Sequence, residues 1–543
     1  MKKILLCIFL FCFLNSYAQY TQQWVDRLNG TANSYDIANN MYLDSQGNVY
    51  IYSTLSNTGS QTDICAVKYS ASGQMLWKFV YNGPSSNLDQ FQDVYKDSQN
   101  FSYITGYTND SNIIKHVLLK LNPLGDTVWT RINSISNHEN LISRSVCVDN
   151  SGNIFVAADA RNLTSGMTDF VLMKFNASGN LINQKIYAAP SNCSYNSVKA
   201  LCDASGNIFA GVNFSQAPNG FDIEVFKFDN NLGEIFLKRI NGAGNSDDGI
   251  FDMKFSQDNN VVLAGKISSP GSASDMAVIK LNASSGNILW QKSYNGSGSD
   301  IDIAYSLAFD NLDNVLVTGY ARNSNTIGSE DVVTLKYSSS GELIWSKIFN
   351  DSTHGIDQGY SICSDSQNNV YVGAVSDHAD GHVGYTTLKY NSDGSLIWKG
   401  KYHYFALSED FIYKIAVNSA QDIFVTGISF SNTTDYDVTT IKYAYQTGIY
   451  TSPETVRGFI LFPSYPSPFN PSAVIRFYNP QKEFTIIKIF DINGREVTEL
   501  VNTELNSGEH KFIFDASGLP GGVYFYKILH GSFLEAGKMI YTK

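Results

Sequence analysis

The chain has 543 residues, of which 43% are apolar and 16% charged, and it contains 33 tyrosines and 33 phenylalanines. This composition supports a large core, and the low charge is typical of exported all-β proteins rather than of cytosolic enzymes. The net charge of −12 disfavours electrostatic binding to nucleic acid or to an anionic membrane surface.

Residues 1–18 have the pattern of a secretory signal peptide. Lys2 and Lys3 precede the apolar run Ile4–Leu14, and Ser16-Tyr17-Ala18 forms a small-x-small cleavage site. The run is shorter than the roughly 20 residues that cross a bilayer. No second long apolar run follows, so the sequence predicts export without a membrane span.

Residues 19–446 repeat one unit eight times. Turns rich in Gly and Asn recur at intervals of 52 to 55 residues, beginning at Asp44, Asp97, Asp149, Asp203, Ser256, Asp310, Asp365 and Asn418. A lysine recurs in every copy: Lys68, Lys120, Lys174, Lys227, Lys280, Lys336, Lys389 and Lys442. Short runs rich in Val, Ile, Tyr and Phe between the turns predict four antiparallel strands in each copy, and such repeats predict a β-propeller.

A column of large side chains shows how the repeat is divided between the ends of the region. Four residues after a turn glycine stand Trp77, Trp129, Asn183, Leu237, Trp290, Trp345 and Trp398, whereas the eighth copy has no such strand after Gly448. Trp24, before the first copy, supplies the missing strand. The predicted fold is therefore all-β, an eight-bladed propeller closed by the N-terminal strand.

The recurring lysines and the cysteines have structural interpretations. A lysine between packed sheets needs a partner, and the column of turn aspartates is predicted to provide it as an ion pair. Cys147, Cys202 and Cys363 stand just before turns and are predicted to be small buried side chains. A Cys193–Cys202 disulfide is the alternative, and no cysteine spacing indicates zinc.

The loops from second to third strands, and from one repeat to the next, vary in sequence and share one face, called here the variable face. Aspartates recur there eight residues before the turns: Asp36, Asp89, Asp248, Asp302, Asp357 and Asp410. A second series begins third strands: Asp63, Asp169, Asp222, Asp275, Asp331 and Asp437. These carboxylates could bind Ca²⁺, or each could accept hydrogen bonds from backbone N–H groups, and the regular recurrence favours the structural role.

One local cluster could hold a metal ion. In an extended loop, His378, Asp380 and His382 would face one way and converge on one ion, although a glycine-flanked loop need not be extended. No G-x-S-x-G elbow and no phosphate-binding glycine loop occurs. The segment 281–290 resembles the tryptophan-docking motif of quinoprotein dehydrogenases, but any propeller could carry a tight turn with a stacked tryptophan. No cofactor is firmly implied.

Two parts of the chain resemble known families. The repeat resembles the SBBP-type propeller repeat of secreted bacterial proteins, a family often described as seven-bladed, so seven blades remain the alternative. After the predicted linker 447–458, residues 459–543 resemble the type A C-terminal sorting domain of the type IX secretion system. The positions matching its motifs include Pro466, Pro468, Asn470, Gly494, Arg495, Gly522, Tyr524 and Lys538. Without the family, the strands and Gly-containing turns of this segment predict a small Ig-like β-sandwich.

The sorting resemblance implies interaction with type IX secretion machinery and a secreted or outer-surface location in a Gram-negative bacterium. The variable loops over a uniform scaffold favour a protein that binds a glycan or protein ligand. Two alternatives stay open: a propeller-based hydrolase, lyase or quinoprotein, and a purely structural surface protein. Fold class alone does not decide between them.

Overall fold

The computed structural model describes residues 19–446 except 217–219, 299, 324–328, 352–354, 379–382 and 405–408, and residues 460–543 except 463, 467, 480–481, 507 and 531–532. The predicted signal peptide and linker lie outside the described residues. Strands and turns make up the described part of the chain, as the all-β prediction requires, and no helix long and apolar enough to cross a membrane occurs in it. The chain divides into two compact units, the second beginning after residue 448.

The strands of the first unit are β1 (Gln19–Leu28), β2 (Ile37–Leu43), β3 (Val49–Leu55), β4 (Asp63–Tyr69), β5 (Met75–Tyr81), β6 (Asp89–Lys96), β7 (Ser102–Asp110), β8 (Ile113–Leu121), β9 (Thr127–Asn133), β10 (His138–Val148), β11 (Ile154–Asn162), β12 (Thr168–Phe175), β13 (Leu181–Tyr187), β14 (Cys193–Cys202), β15 (Ile208–Gln216), β16 (Phe221–Phe228), β17 (Glu234–Ile240), β18 (Gly249–Phe255), β19 (Val261–Ile267), β20 (Asp275–Leu281), β21 (Ile288–Tyr294), β22 (Ile303–Phe309), β23 (Val315–Arg322), β24 (Glu330–Tyr337), β25 (Leu343–Phe349), β26 (Asp357–Ser364), β27 (Val370–Asp377), β28 (Val383–Tyr390), β29 (Leu396–Tyr402), β30 (Asp410–Val417), β31 (Ile423–Ser431) and β32 (Asp435–Gln446). Those of the second unit are β33 (Ile460–Leu461), β34 (Ser472–Asn479), β35 (Glu483–Phe490), β36 (Glu496–Leu505), β37 (Gly508–Asp515), β38 (Gly522–His530) and β39 (Phe533–Tyr541).

Within its described residues, the first unit consists of eight four-stranded antiparallel sheets, as a propeller-like repeat predicts. Sheets 1 to 7 each contain four consecutive strands, from β2–β5 to β26–β29, in sequence order. Sheet 8 has the order β1-β32-β31-β30, so the first strand of the chain completes the last sheet. Trp24 in β1 pairs with Lys442, just as Trp77 pairs with Lys68 within sheet 1.

The core of the first unit lies between sheets. The inner strands are apolar on both faces, because each lies between two neighbouring sheets. Each buried cluster of this unit combines side chains of two consecutive sheets. Phe155 and Phe170 of sheet 3, for example, pack with Phe226 of sheet 4. One cluster combines Phe424 of sheet 8 with Ile51 of sheet 1. Burial of apolar surface between sheets is the main stabilising contribution.

The tryptophan column connects each sheet to the next. The Trp24, Trp77, Trp129, Trp290 and Trp345 rings lie over the turn glycines Gly73, Gly125, Gly179, Gly341 and Gly394 of the following sheets. At Gly73, where φ is +86°, a Cβ atom would lie 2.6 Å from Trp24, so only glycine fits. The sequence prediction is wrong for the fourth copy: Phe236, not Leu237, pairs with Lys227 and covers Gly286.

Among the described residues, the repeated lysine pairs with the predicted turn aspartate in sheets 1 and 6 only. The prediction is wrong for Lys174 and Lys227, which donate to the backbone carbonyls of Asn230 and Ala283. Lys68 pairs with Asp44 at 3.3 Å and Lys336 with Asp310 at 2.9 Å. In sheets 5 and 8 the carboxylate comes from another position of the same turn: Lys280–Asp258 and Lys442–Asp422, both at 2.8 Å. Several lysines also donate to a backbone carbonyl in the next sheet, such as Lys442 to Ala71 in sheet 1, at 3.1 Å.

The cysteines of the first unit differ from the prediction. Cys147 and Cys202 form a disulfide that joins β10 of sheet 3 to β14 of sheet 4, so neither is a small free side chain. The predicted Cys193–Cys202 alternative is also wrong, because Cys193 is a free buried thiol. Cys147 and Cys202 both lie near the ends of the first strands of adjacent sheets. The two strands contact each other, and this contact between sheets decides which cysteines pair.

The second unit contains a three-stranded sheet, β33-β34-β37, and a four-stranded sheet, β36-β35-β38-β39. Its core includes Phe469, whose ring stacks on Tyr541 at 5.2 Å. Buried Tyr524 donates its hydroxyl to the Pro520 carbonyl at 2.7 Å.

Candidate functional site

Each sheet of the first unit carries the same irregularity in its first strand. The pairing of the first and second strands skips one residue, which forms a β-bulge. These bulge residues, in sheet order, are Asn39, Gln92, Arg144, Val198, Phe251, Tyr305, Tyr360 and Tyr413. A bulge turns a side chain away from the regular pleat. The first strands of consecutive sheets contact one another, and β30 of sheet 8 contacts β2 of sheet 1, so these positions form one series.

Four consecutive bulge residues form a continuous aromatic surface, called here the aromatic arc: Phe251, Tyr305, Tyr360 and Tyr413. Ring centroids are 5.3 Å apart between Phe251 and Tyr305, 5.2 Å between Tyr305 and Tyr360, and 6.2 Å between Tyr360 and Tyr413. The middle pair is stacked and the outer pairs are edge-to-face, the favoured arrangements of aromatic rings. Phe251 is 39% exposed and the three tyrosines are partly exposed. The arc therefore offers both ring surface and hydroxyl groups to a ligand.

The tyrosines of the arc remain protonated at neutral pH. Burial raises the pKa of Tyr360 to about 12, and burial also raises the pKa of Tyr305 and Tyr413. Their hydroxyl groups can therefore donate and accept hydrogen bonds, but they are not poised for acid–base chemistry near pH 7.

The bulge residues of sheets 1 to 3 are polar. Arg144 donates from Nε to Asp159 at 2.8 Å and from Nη1 to Gln92 at 3.4 Å. A cavity of about 350 Å³ opens beside Arg144, with Arg161 and Tyr195 also in its wall. The series of bulge residues thus has a polar part in sheets 1 to 3 and an aromatic part in sheets 5 to 8.

The residues directly after the bulges contribute a cluster of charges. Asp93 accepts hydrogen bonds from Ser145 Oγ at 2.7 Å and from Lys199 Nζ at 3.1 Å. Asp252 pairs with Lys254 at 3.4 Å. Lys414, directly after Tyr413, interacts electrostatically with all four of these charged groups. Burial lowers the pKa of Lys414; Asp252 opposes this effect and Lys254 adds to it.

The six predicted acidic residues of the variable face are buried, each at most 1% exposed. Their carboxylates accept from the backbone N–H group six residues earlier and, in four cases, from the N–H group twenty residues later. The contacts are Asp36 with Gly30 and Ser56, Asp89 with Gly83, Asp248 with Gly242 and Ser268, Asp302 with Gly296 and Arg322, Asp357 with Asp351, and Asp410 with Tyr404 and Phe430. Each aspartate thereby connects the end of the preceding sheet to its own first and second strands, which is the structural role that the sequence favours.

Burial raises the pKa of Asp36, Asp89, Asp302 and Asp357 to about 6. The negative charge of a second aspartate, from the third strand of the preceding sheet, raises these pKa values further. Asp275 has this effect on the pKa of Asp302. No group of three His, Cys, Asp or Glu side chains placed to hold a metal ion occurs among the described residues. Calcium binding by these carboxylates stays a prediction.

Of the three predicted metal ligands, His378 alone lies in the part of the chain that the structure describes. His378 is buried at 3% exposure, and its Nε2 lies 3.2 Å from the Thr386 hydroxyl. Asp380 and His382 lie outside the described residues, so this metal site also stays a prediction.

The predicted sorting residues lie mostly on the surface of the second unit. Pro466, Pro468, Asn470, Gly494, Arg495, Gly522 and Lys538 are exposed, whereas Tyr524 is buried. Gly494 has a φ of +77° in a turn where Asp491 accepts from the N–H of Arg495 at 2.9 Å. A positive φ at this turn explains the glycine.

The aromatic arc does not follow from the repeated turns, lysines and tryptophans. All eight bulge residues stand five positions before the repeated turns, and the last four copies have an aromatic residue there. Alignment of the copies on this column would have shown the change from polar to aromatic. The direction of the side chains depends on the bulges, which the sequence pattern does not show.

Comparison with known proteins identifies the second unit. Residues 464–542 match the family model described as a secretion system C-terminal sorting domain. This domain indicates export through the type IX secretion system, interaction with its machinery, and a secreted or cell-surface location. The repeated region matches no SBBP repeat model, and no curated protein matches the chain.

Several solved structures match large parts of the chain at low identity and with TM-scores under 0.5. A eukaryotic initiation factor is 10% identical, with 68% of this chain and 78% of that chain covered and a TM-score of 0.38. A mutant puromycin hydrolase complexed with PGG is 9% identical, with 73% and 59% covered and a TM-score of 0.43. Drosophila Plexin A in complex with Semaphorin 1b is 8% identical, with 79% and 88% covered and a TM-score of 0.40. This chain thus spans less than two thirds of the hydrolase, and none of these likenesses carries an argument about function.

Proposed function

We propose that the first unit is a closed eight-bladed propeller and that it acts, after export, as a glycan-binding protein of the cell surface or the extracellular space. Each four-stranded sheet is one blade. Three contacts between sheets 8 and 1 support closure: the cluster containing Phe424 and Ile51, the Lys442–Ala71 hydrogen bond, and the placement of Trp24 over Gly73. They repeat contacts found between other consecutive sheets. Electron microscopy of the isolated protein should give ring views with eight lobes, and seven lobes would contradict the blade count.

The aromatic arc is the observation that carries the binding function. Sugar rings present C–H faces that pack on aromatic rings, while their hydroxyl groups hydrogen-bond to polar side chains at the ring edges. The arc provides such ring faces, and Gln92 and Arg144 in the same series of bulges provide amide and guanidinium groups. Partly exposed aromatic side chains on a rigid scaffold lose little conformational entropy on binding.

The test is binding of a panel of extracellular polysaccharides to the full chain, to Tyr360→Ala and to Phe251→Ala, by calorimetry. At least one polysaccharide should bind the wild type, and each substitution should weaken that binding about tenfold. Phe221→Ala is the matched control, because Phe221 is 38% exposed, like Phe251, but lies outside the arc. Absence of binding to every glycan, or equal loss in the Phe221→Ala control, would contradict the proposal.

A further inference from the structure

Lys414 occupies a distinctive position beside the aromatic arc. It directly follows Tyr413, whose ring contacts Tyr360 6.2 Å away. Its ammonium group interacts with Lys199 and Asp252, which lie after the bulges of sheets 4 and 5, and with Lys254. Because these charged groups belong to strands of other sheets, Lys414 lies toward the space between the first strands. It also follows the last ring of the arc in sequence.

The charges around Lys414 do not balance. The cluster has three lysines, Lys199, Lys254 and Lys414, but only two aspartates, Asp93 and Asp252. Asp93 already accepts from Ser145 and Lys199, and Asp252 already pairs with Lys254. Within the part of the chain that the structure describes, Lys414 has no carboxylate within ion-pair distance.

An unpaired ammonium group in a partly desolvated setting favours an anion. Removing a charge from water is costly unless an opposite charge accompanies it, and the lowered pKa of Lys414 reflects this cost. An anionic group of a ligand would provide the missing charge. The bulge at Tyr413 interrupts the alternation of side chains along β30. On this basis a short substituent of a ligand on Tyr360 and Tyr413 is expected to reach Lys414.

We propose that the glycan bound by the aromatic arc is acidic, and that Lys414 binds the carboxylate of a uronic acid whose ring packs on Tyr360 and Tyr413. This inference rests on the proposed glycan-binding function and names its ligand class. The arc provides affinity for the sugar ring, and Lys414 provides selectivity for the charged form. Lys199 and Lys254, already paired with aspartates, position the cluster and do not contact the ligand.

The experiment compares oligomers of galacturonic, glucuronic and mannuronic acid with their methyl esters, which keep the sugar rings but remove the charge. Binding is measured by calorimetry on the full chain. At least one acid should bind at least tenfold more tightly than its ester, and added salt should reduce this preference because it screens the ion pair. Tyr360→Ala should weaken the binding of both forms.

The Lys414 variants separate a binding role from a structural role. Lys414→Met should weaken binding of the acid much more than binding of the ester and so remove the preference, whereas Lys414→Arg should retain the preference. Lys78→Met, at an exposed lysine of the outer strand β5, is the control for loss of one positive charge and should change nothing. The ester affinity also shows that each variant is folded.

The possible results distinguish the two proposals. Equal affinity of the wild type for acid and ester, or a preference that survives Lys414→Met, would overturn the role of Lys414 while leaving glycan binding intact. If neither acids nor esters bind and no neutral glycan binds, the proposed function itself fails, and the role of Lys414 fails with it.

Discussion

The indole N–H group of Trp24 donates a hydrogen bond to the backbone carbonyl of Ala71 at 3.3 Å, and the Trp24 ring covers Gly73 in the same turn. Trp77 makes the same two contacts with Pro123 and Gly125 one sheet further on. The contact between sheets 8 and 1 is therefore equivalent to the contact between sheets 1 and 2. A strand from the beginning of the chain thus performs the role of an ordinary outer strand.

Substitution of Gly73 by Ala should destabilise the protein by about 2–4 kcal/mol. The added methyl group collides with Trp24, and the positive φ adds a conformational cost of about 1 kcal/mol. Gly59→Ala is the matched control, since Gly59 has a similar φ of +89° but no atom within 4 Å of the added group. Thermal unfolding should show a larger decrease in Tm for Gly73→Ala. Equal decreases in the two variants would mean that the contact between Trp24 and Gly73 contributes nothing to stability.

Reduction of the Cys147–Cys202 disulfide should also lower stability. The bond closes a loop with a sequence separation of 55 residues, and the loss of loop-closure entropy corresponds to about 4 kcal/mol. The protein without residues 1–18 is denatured and alkylated. Cys65, Cys193 and Cys363 should be labelled before reduction, and all five cysteines after reduction. Labelling of Cys147 without reductant would contradict the assignment.

The buried aspartates predict a specific pH dependence. The pKa of Asp302 is about 6 in the folded protein and near 3.8 when unfolded, so its stabilising contribution is complete below about pH 4 and is lost as the pH rises through 6. Between pH 5 and 7 this loss is about 1 kcal/mol. In Asp302→Asn the free energy of unfolding should therefore fall by about 1 kcal/mol less between pH 5 and pH 7 than in the wild type. Urea unfolding at each pH measures this difference.

Asp302→Asn should also lower stability at every pH, because one side-chain oxygen is replaced by an NH₂ group that faces a backbone donor. The matched control is Asp393→Asn, since Asp393 is exposed. It should leave the difference between pH 5 and pH 7 as in the wild type. Parallel curves for wild type and Asp302→Asn would show that Asp302 does not titrate in this range.

Deletion of residues 459–543 should prevent passage through the outer membrane. Because this segment contains the sorting domain, the shortened protein should accumulate in the periplasm of a host with a type IX secretion system. Cell fractionation with an antibody against the first unit measures the outcome, and the full chain expressed at the same level is the control. Recovery of the shortened protein at the surface or in the medium would contradict this role.

Part of this structure follows from the sequence by itself. The repeated turns, the column of lysines and the position of Trp24 predicted four-stranded repeats and the pairing of the first strand with the last sheet. The motif around Asn470, Gly494 and Tyr524 identified the sorting domain. These features depend on local strand and turn preferences or on a motif in order along the chain, so one sequence carries them.

Only the tertiary structure decided the remaining features, because they depend on contacts between sheets. Cys147 bonds to Cys202 because their strands are adjacent, and Phe236 takes the tryptophan position because of the register of its sheet. Asp302 is buried because three chain segments meet around it; its regular recurrence in the sequence favoured such a structural role but left a cation site open. Phe251, Tyr305, Tyr360 and Tyr413 are more than 50 residues apart in sequence, and only the repeated bulge and the packing of successive first strands bring their rings into one surface.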